Sequence, residues 1–447
     1  MMWNDSESEI FAQMAGRLAA AFADLPAFSA GLLDRDAVEV LRETAQRLAD
    51  NYPYFHPLYA GQMLKPPHPV ARLAYGLAML INPNNHALDG GRASSEMERA
   101  AVAELAAMFG WQTHLGHLTS GGTMANLEAL WIAGALQPGG VVLASEQAHY
   151  THERLSGVLR LPFEPIAADA SGKMRMDALE DRLRRGGVGT VVATVGTTGF
   201  GAVDPLADIV ELRHRYGFRL HADAAYGGYF VLAGNLQAET RRHFDAMGAV
   251  DSIVVDPHKH GLQPYGCGSV LFRDPAVGAF YKHDSPYTYF TSDALHLGEI
   301  SLECSRAGAA AVALWATHRL LPPRPGGEFA RGLERCRDAA EALHGRLAGH
   351  HRFLPLVQPE LDIVAWAVLG ADAEEASAAG RRLFEEAGEL GLHLALVQAP
   401  GSMIAHRWPE GADIPEGPVT CLRSVLMKPE HLDWLDRIWS LLEDLAG

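Results

Sequence analysis

Apolar residues recur in this chain with a helical period near both ends and as short unbroken runs between. Residues 34–50 have the spacing of an amphipathic helix. The Pro- and aromatic-rich stretch 51–69 then predicts an extended arm of the kind that wraps a partner subunit. Ser95-Glu96-Met97-Glu98 has capping-box spacing, and Met97, Ala101, Leu105 and Met108 fall on one face of the helix it would open.

Further on, β-rich apolar runs at 141–145, 190–195, 218–222, 252–255 and 269–272 alternate with helical segments, among them 123–136 and 205–216. Such runs, bounded by Gly, Pro and Asp, predict buried strands of a mostly parallel sheet, an α/β arrangement. The sequence Pro322-Pro323-Arg324-Pro325-Gly326-Gly327 interrupts the pattern. Beyond it come a helix at 328–347, a strand at 361–369, a helix at 373–390, strand-like runs at 392–397 and 419–426, and a last helix from Pro429. The expected division is an N-terminal helix and arm (1–70), a large domain (71–325) and a smaller α+β domain (326–447).

Charge narrows the function classes. With 37 Lys and Arg against 54 Asp and Glu, the net charge is −17, which disfavours a nucleic-acid or anionic-membrane partner. The 48% hydrophobic and 20% charged content is that of a globular protein and excludes disorder as the main state. The longest stretches free of charge, 105–127 and 186–203, carry Gln, His and Asn or are rich in Gly and Thr, so no membrane span is expected. Acidic residues Asp5, Glu7 and Glu9 precede the first basic residue, Arg17, the reverse of a secretory leader. Four scattered cysteines without a C-x-x-C pair suit a reducing cytoplasm.

Ligands of open α/β sheets collect at the carboxyl ends of strands. Four expected strand ends are followed by chemically capable side chains: His149, Thr198, Asp223 and Lys259. Between them, Thr119-Ser120-Gly121-Gly122-Thr123-Met124-Ala125-Asn126 forms a hydroxyl- and glycine-rich turn opening a helix, suited to an anion. It has neither the Walker lysine nor G-x-G-x-x-G, so a single small phosphate is favoured over a nucleotide. A lysine, an aspartate and a phosphate cradle together suggest pyridoxal phosphate. Each residue alone has an ordinary reading: Asp223 as a helix cap, Lys259 as a solvated side chain, His149 as a loop histidine. Their joint placement favours the cofactor. The 21 histidines include His114-x-x-His117 and His149-x-x-His152, but none has a partner set at a zinc-site spacing, and no metal is expected.

Asp256-Pro257-His258-Lys259 followed by Gly266-Cys267-Gly268-Ser269 resembles the pyridoxal-phosphate-dependent group II amino-acid decarboxylases. The resemblance extends through Asn82-Pro83-Asn84-Asn85, Gln147-Ala148-His149-Tyr150, Gly196-Thr197-Thr198-Gly199, Gly201-Ala202-Val203-Asp204-Pro205 and His221-Ala222-Asp223-Ala224-Ala225-Tyr226-Gly227-Gly228 to Ser305-Arg306 and Leu422-Arg423. The wording around 82–98 and 256–273 is most similar to the archaeal-type tyrosine/aspartate decarboxylases, with sphingosine-phosphate lyases as next neighbours.

The resemblance implies an aspartate-aminotransferase-like (fold type I) homodimer, with a mostly parallel seven-stranded sheet and active sites at the subunit interface. It implies that Lys259 bonds the cofactor aldehyde, His149 stacks on the ring, Asp223 pairs with the ring nitrogen and Thr198 approaches the ring hydroxyl. Gly121, Gly122 and Thr123 would hold the phosphate with a share from His258, Ala225 would border the ring, and Arg423 would receive the substrate α-carboxylate. A loop tyrosine, Tyr289 before Tyr287, would return a proton to Cα. The implied reaction is decarboxylation of an L-amino acid, aromatic such as tyrosine, or aspartate, to amine and CO2; glutamate or diaminobutyrate and a carbon–carbon lyase reaction are the alternatives. A non-catalytic homologue would be expected to lack Lys259 or Asp223, and both are present. Asp256 stands where many members have Ser, Thr or Asn near the phosphate, so its side chain is expected to point away. His260 and Gln263 depart from the pattern after Lys259 and are expected to alter the substrate pocket.

Overall fold

The central apolar runs do become strands buried on both faces. The computed structural model describes residues 3–26, 34–87, 90–282, 300–408 and 417–446. Its large sheet comprises β1 (Leu115–Thr119), β2 (Val141–Ser145), β3 (Phe163–Ile166), β4 (Val188–Thr194), β5 (Arg219–Asp223), β6 (Ser252–Val255) and β7 (Gly268–Phe272). The order across it is β1-β7-β6-β5-β4-β2-β3. From β3 to β6 the neighbours are parallel, whereas β7 runs against both β1 and β6. Leu143, Val191, Leu220, Ile253 and Leu271 are fully enclosed, as expected where helices cover both faces of a parallel sheet.

Two of these strands escaped the pattern. β1 carries Gly116 and His117 among its apolar residues, and β3 carries Pro165 and Glu164. Pro165 is tolerated because β3 lies at the sheet edge, where one side needs no ladder hydrogen bond.

The N-terminal third supplies helices α1 (Asp5–Ala20), α2 (Arg35–Leu48), α3 (Pro69–Met79) and α4 (Arg92–Met108). The capping-box expectation fails: α4 starts at Arg92 behind Gly91, so Ser95 is already inside the helix. Glu98 turns instead to β1, accepting hydrogen bonds from Leu118 N–H (3.0 Å) and Asn85 Nδ2 (2.6 Å) and pairing with Arg306. That buried carboxylate ties Asn85 and Arg306, far apart in sequence, to the strand that leads into the glycine turn. Helix α2 is amphipathic as expected but buries no residue, leaving Val38, Val40, Leu41 and Leu48 exposed.

A second, antiparallel sheet joins β8 (Phe353–Pro355), β9 (Ile363–Val368), β10 (Ala395–Ala399) and β11 (Val419–Val425) in the order β10-β11-β9-β8. β10 begins three residues later than the apolar run at 392–397 suggests. The reason is the arm: Ala60 N–H donates to His393 O, and His393 N–H to Leu58 O, both at 2.9 Å. Residues 58–60 thus bind their own chain, and Val425 N–H and Lys428 Nζ donate to the carbonyls of Ala60 and Tyr59 at 2.7 and 2.6 Å. No described helix is long and apolar enough to cross a membrane.

Candidate active site

The strand ends converge on a cavity of about 380 Å³. β1 delivers Ser120, Gly121 and Gly122, the last opening helix α5 (Gly122–Leu136) with no side-chain cap. The first-turn N–H groups of an α-helix have no intrahelical partner, so this end presents donors where Gly121, Gly122 and Thr123 line the cavity. Close approach requires glycine here: a Cβ at Gly122 would stand 2.6 Å from Asp256 Oδ2, and one at Gly268 would stand 2.5 Å from the Gly121 carbonyl carbon.

From β2 comes His149, on the turn leading into α6 (Thr151–Leu159). Its Nδ1 accepts from the Thr151 N–H at 3.3 Å, and burial lowers its basicity despite the nearby Asp223 carboxylate, favouring a neutral flat ring. β4 ends in Thr194, and Thr198 lies on the turn beyond; both line the cavity. β5 ends in Asp223, whose Oδ2 lies 2.8 Å from His152 Nε2 and whose Oδ1 accepts from Ala225 N–H at 3.2 Å. Burial pushes the Asp223 carboxyl up, but the His152 hydrogen bond and charge and the Lys259 ammonium outweigh it and hold the acid well below the usual carboxylate range.

After β6 come Asp256, His258 and Lys259, all lining the cavity. Lys259 Nζ is 3.0 Å from Asp256 Oδ2. The expectation that Asp256 points away is therefore wrong: its buried carboxylate faces the glycine turn and the lysine. His258 donates from Nδ1 to the Cys267 carbonyl at 2.9 Å, which leaves Nε2 3.6 Å from Asp256 Oδ2.

His260 and Gln263 do not line this cavity, contrary to expectation. His260 Nε2 lies 3.1 Å from Asp362 Oδ2, between the rings of Tyr226 and Phe230, and Gln263 donates to Thr317 Oγ1 at 2.9 Å. Both are buried, and these contacts hold them away from the cavity, although His260 Nδ1 and Gln263 Oε1 have no hydrogen-bond partner among the described residues. Tyr226, which does line the cavity, donates its hydroxyl to the same Asp362 at 2.6 Å. Arg423 on β11 sits behind the wall rather than in it, donating to the Thr198 carbonyl at 2.8 Å and to Gln62 Oε1. Tyr287 and Tyr289 lie outside the described residues.

Sequence reasoning missed His152, Thr194, Tyr226 and Tyr265 as members of the site or its support. The signal for His152 is its position one turn after His149, a spacing that points first to metal binding. Thr194 Oγ1 and Asp256 Oδ1 are buried and have no hydrogen-bond partner among the described residues. An amine, an ionised carboxylate, a flat imidazole and an uncapped helix end thus meet in one polar cavity with unspent hydrogen-bonding capacity. That combination fits a small phosphorylated aromatic aldehyde.

Comparison with known proteins agrees. Residues 131–368 match the family described as the pyridoxal-dependent decarboxylase conserved domain. An L-tyrosine decarboxylase of Enterococcus faecium is 28% identical, covering 79% of this chain and 77% of its own length. A probable L-tyrosine/L-aspartate decarboxylase of Methanothrix thermoacetophila is 30% identical over 83% of this chain and 90% of its own. Among solved structures, Oryza sativa TDC with PLP and tryptamine superposes with a TM-score of 0.79 at 17% identity, covering 99% of this chain and 98% of the other.

Proposed function

Since the chain belongs to the pyridoxal-dependent decarboxylase family, we propose that the cavity at the ends of β1, β2, β4, β5 and β6 is its active site. The reaction is pyridoxal-phosphate-dependent decarboxylation of an L-amino acid to the amine and CO2. The observation that carries the site is that Lys259 and Asp223 open on the same cavity as the uncapped start of α5.

Pyridoxal phosphate supplies an aldehyde that bonds amines and a ring that withdraws the electrons left on Cα when a carboxylate departs. The chain does the rest. Lys259, which lines the cavity, would offer the amine that holds the cofactor. Asp223, kept ionised chiefly by its hydrogen bond to His152, would hold a negative charge where a protonated ring nitrogen needs one. His149 would provide the flat face for stacking, Ala225 would border the ring, and Thr198 would serve its hydroxyl; all three line the cavity. The N–H groups of Gly121, Gly122 and Thr123, with His258, would hold the phosphate. Arg423 receives the substrate α-carboxylate by exchanging one of its present acceptors, the Thr198 carbonyl or Gln62, for it. Tyr289, or Tyr287, returns the proton to Cα.

The substrate is tyrosine or aspartate, the amino acids named for the relatives above. Cytoplasmic residence is supported by four free cysteines. A homodimer with active sites at the interface is supported by the exposed apolar residues of α2 and by Met79, Leu80 and Ile81, each more than half exposed. Sedimentation should give twice the chain mass of 48.3 kDa. The deciding experiment is a screen of L-amino acids, tyrosine and aspartate first, for CO2 release by the purified protein supplied with pyridoxal phosphate. Release from neither, with release from another amino acid, would overturn the substrate; release from none would overturn the site.

A further inference from the structure

A second cavity, of about 620 Å³, lies between the arm, the first turns of the helix Glu328–Ala348 and residues 428–430. His260, the chain neighbour of Lys259, is part of its wall. None of the residues given a part in the reaction lines it.

The charge of this cavity runs against that of the chain. Lys65, Arg331, Arg335 and Lys428 line it together with Glu328 and Glu430, in a protein whose net charge is −17. Arg335 is committed to Asp433, 2.7 Å away. Burial disfavours the charged forms of His68 and His260, the two histidines of the lining. Three cations therefore face two carboxylates, which leaves an excess of one positive charge.

Two of those cations have unspent donors. Lys65 Nζ donates to the Met427 carbonyl at 3.1 Å and Lys428 Nζ to the Tyr59 carbonyl at 2.6 Å. An ammonium has three donors, and neither lysine is in a salt bridge among the described residues. Lys428 is buried, and desolvation with the charge of nearby Lys65 pushes its pKa down from 10.5 to about 7. Desolvation lowers Lys65 as well. Buried charges are stabilised when an opposite charge is brought to them. Much of the remaining wall is apolar, with Phe55, Leu262, Leu321, Phe329 and Leu333 among prolines of the arm. His260 is fully enclosed, and its Nδ1 has no hydrogen-bond partner among the described residues.

We infer that this cavity binds a small organic acid with one carboxylate on an apolar body, the carboxylate at Lys65 and Lys428 and the body against Phe329 and Leu333. One negative charge cancels the excess. A dianion such as a phosphate monoester would overshoot it and would meet Glu328 and Glu430. The volume is within the range of small-molecule sites, about 300–1,000 Å³, and His260 Nδ1 gives the ligand one further polar contact.

The test is calorimetric titration of the purified protein, saturated with pyridoxal phosphate, with 3-phenylpropionate and with its uncharged counterpart 3-phenylpropan-1-ol. The acid should bind one per chain and about tenfold or more tighter than the alcohol. Lys65→Met should weaken the acid by about tenfold and leave the alcohol unchanged. Gly332→Leu tests the place. Gly332 lines the cavity from within the helix Glu328–Ala348, and a Cβ there meets nothing nearer than Pro429 Cγ at 3.5 Å. The backbone therefore accepts leucine, a better helix former, and its bulk should abolish binding. Circular dichroism melting of each variant checks that it is folded. Three results would overturn the inference: no binding of 3-phenylpropionate to the native protein, equal affinity for acid and alcohol, or acid binding that survives Gly332→Leu and so belongs elsewhere, as at Arg423. If Gly332→Leu does not fold, an unchanged acid affinity in Lys65→Met overturns it instead.

Discussion

His152 Nε2 lies 2.8 Å from Asp223 Oδ2, and both side chains are buried. The contact decides the state of the carboxylate, because burial alone would favour the neutral acid. With His152 and Lys259 opposing it, Asp223 has a lower affinity for protons in the folded chain than in the unfolded one. Its contribution to stability is therefore fully present above the ordinary carboxylate range and is lost as pH falls through the lowered folded value. At any pH where an amino acid would be turned over, Asp223 is charged.

Replacing Asp223 by Asn keeps the shape and removes the charge. Electrostatic stabilisation of this type is worth about 3 kcal/mol, so kcat should fall roughly a hundredfold. Steady-state kinetics check this, and near-native turnover would show that the charge has no part in the chemistry.

His152→Ala leaves Asp223 with the Ala225 N–H at 3.2 Å and removes the imidazole. The carboxyl should then protonate more readily, so the acid limb of the kcat profile should move to higher pH. An unshifted limb would assign His152 a packing role only.

Lys259→Ala should abolish borohydride fixation of pyridoxal phosphate while leaving a noncovalent affinity from the glycine turn. Mass spectrometry of the reduced native protein should find the adduct on Lys259.

Asp204 tests the scaffold rather than the chemistry. It is enclosed and accepts from Met174 N–H at 2.7 Å and Thr194 N–H at 2.8 Å, yet burial raises its pKa from 3.8 to about 6. A raised folded value means that the unfolded chain loses this proton first, so stability should decline from about pH 4 to about 6, by up to about 3 kcal/mol. Asp204→Asn should flatten that slope and cost about 1–3 kcal/mol, since an amide oxygen cannot replace both carboxylate acceptors. Urea midpoints across this pH window measure both effects.

Tyr289→Phe removes only a hydroxyl, so substrate affinity should hardly change. Amine should fall as aldehyde, ammonia and peroxide rise. Tyr287→Phe is the control: diversion by it alone would transfer the role, and diversion by neither would point to another proton source such as His149.

Local sequence determined the elements whose periodicity is uninterrupted. The apolar runs that became β2 and β6 and the long amphipathic helices are legible because burial of a repeating face needs only near neighbours. The strand ends also marked His149, Thr198, Asp223 and Lys259 as chemical candidates, and the structure brings all four to one cavity. What tertiary structure decided were the partners of polar groups. Ser95 and Glu98 read as a cap until Asn85, Leu118 and Arg306 claim the glutamate. His260 reads as a pocket residue until Asp362, about a hundred residues away, takes its ring nitrogen. Asp256 reads as repelled from an anion site until Lys259 is seen to hold it there. A buried hydrogen bond or charge must be matched in space, and the chain supplies its match from whichever strand or helix the fold places alongside, a choice that spacing along the sequence does not encode.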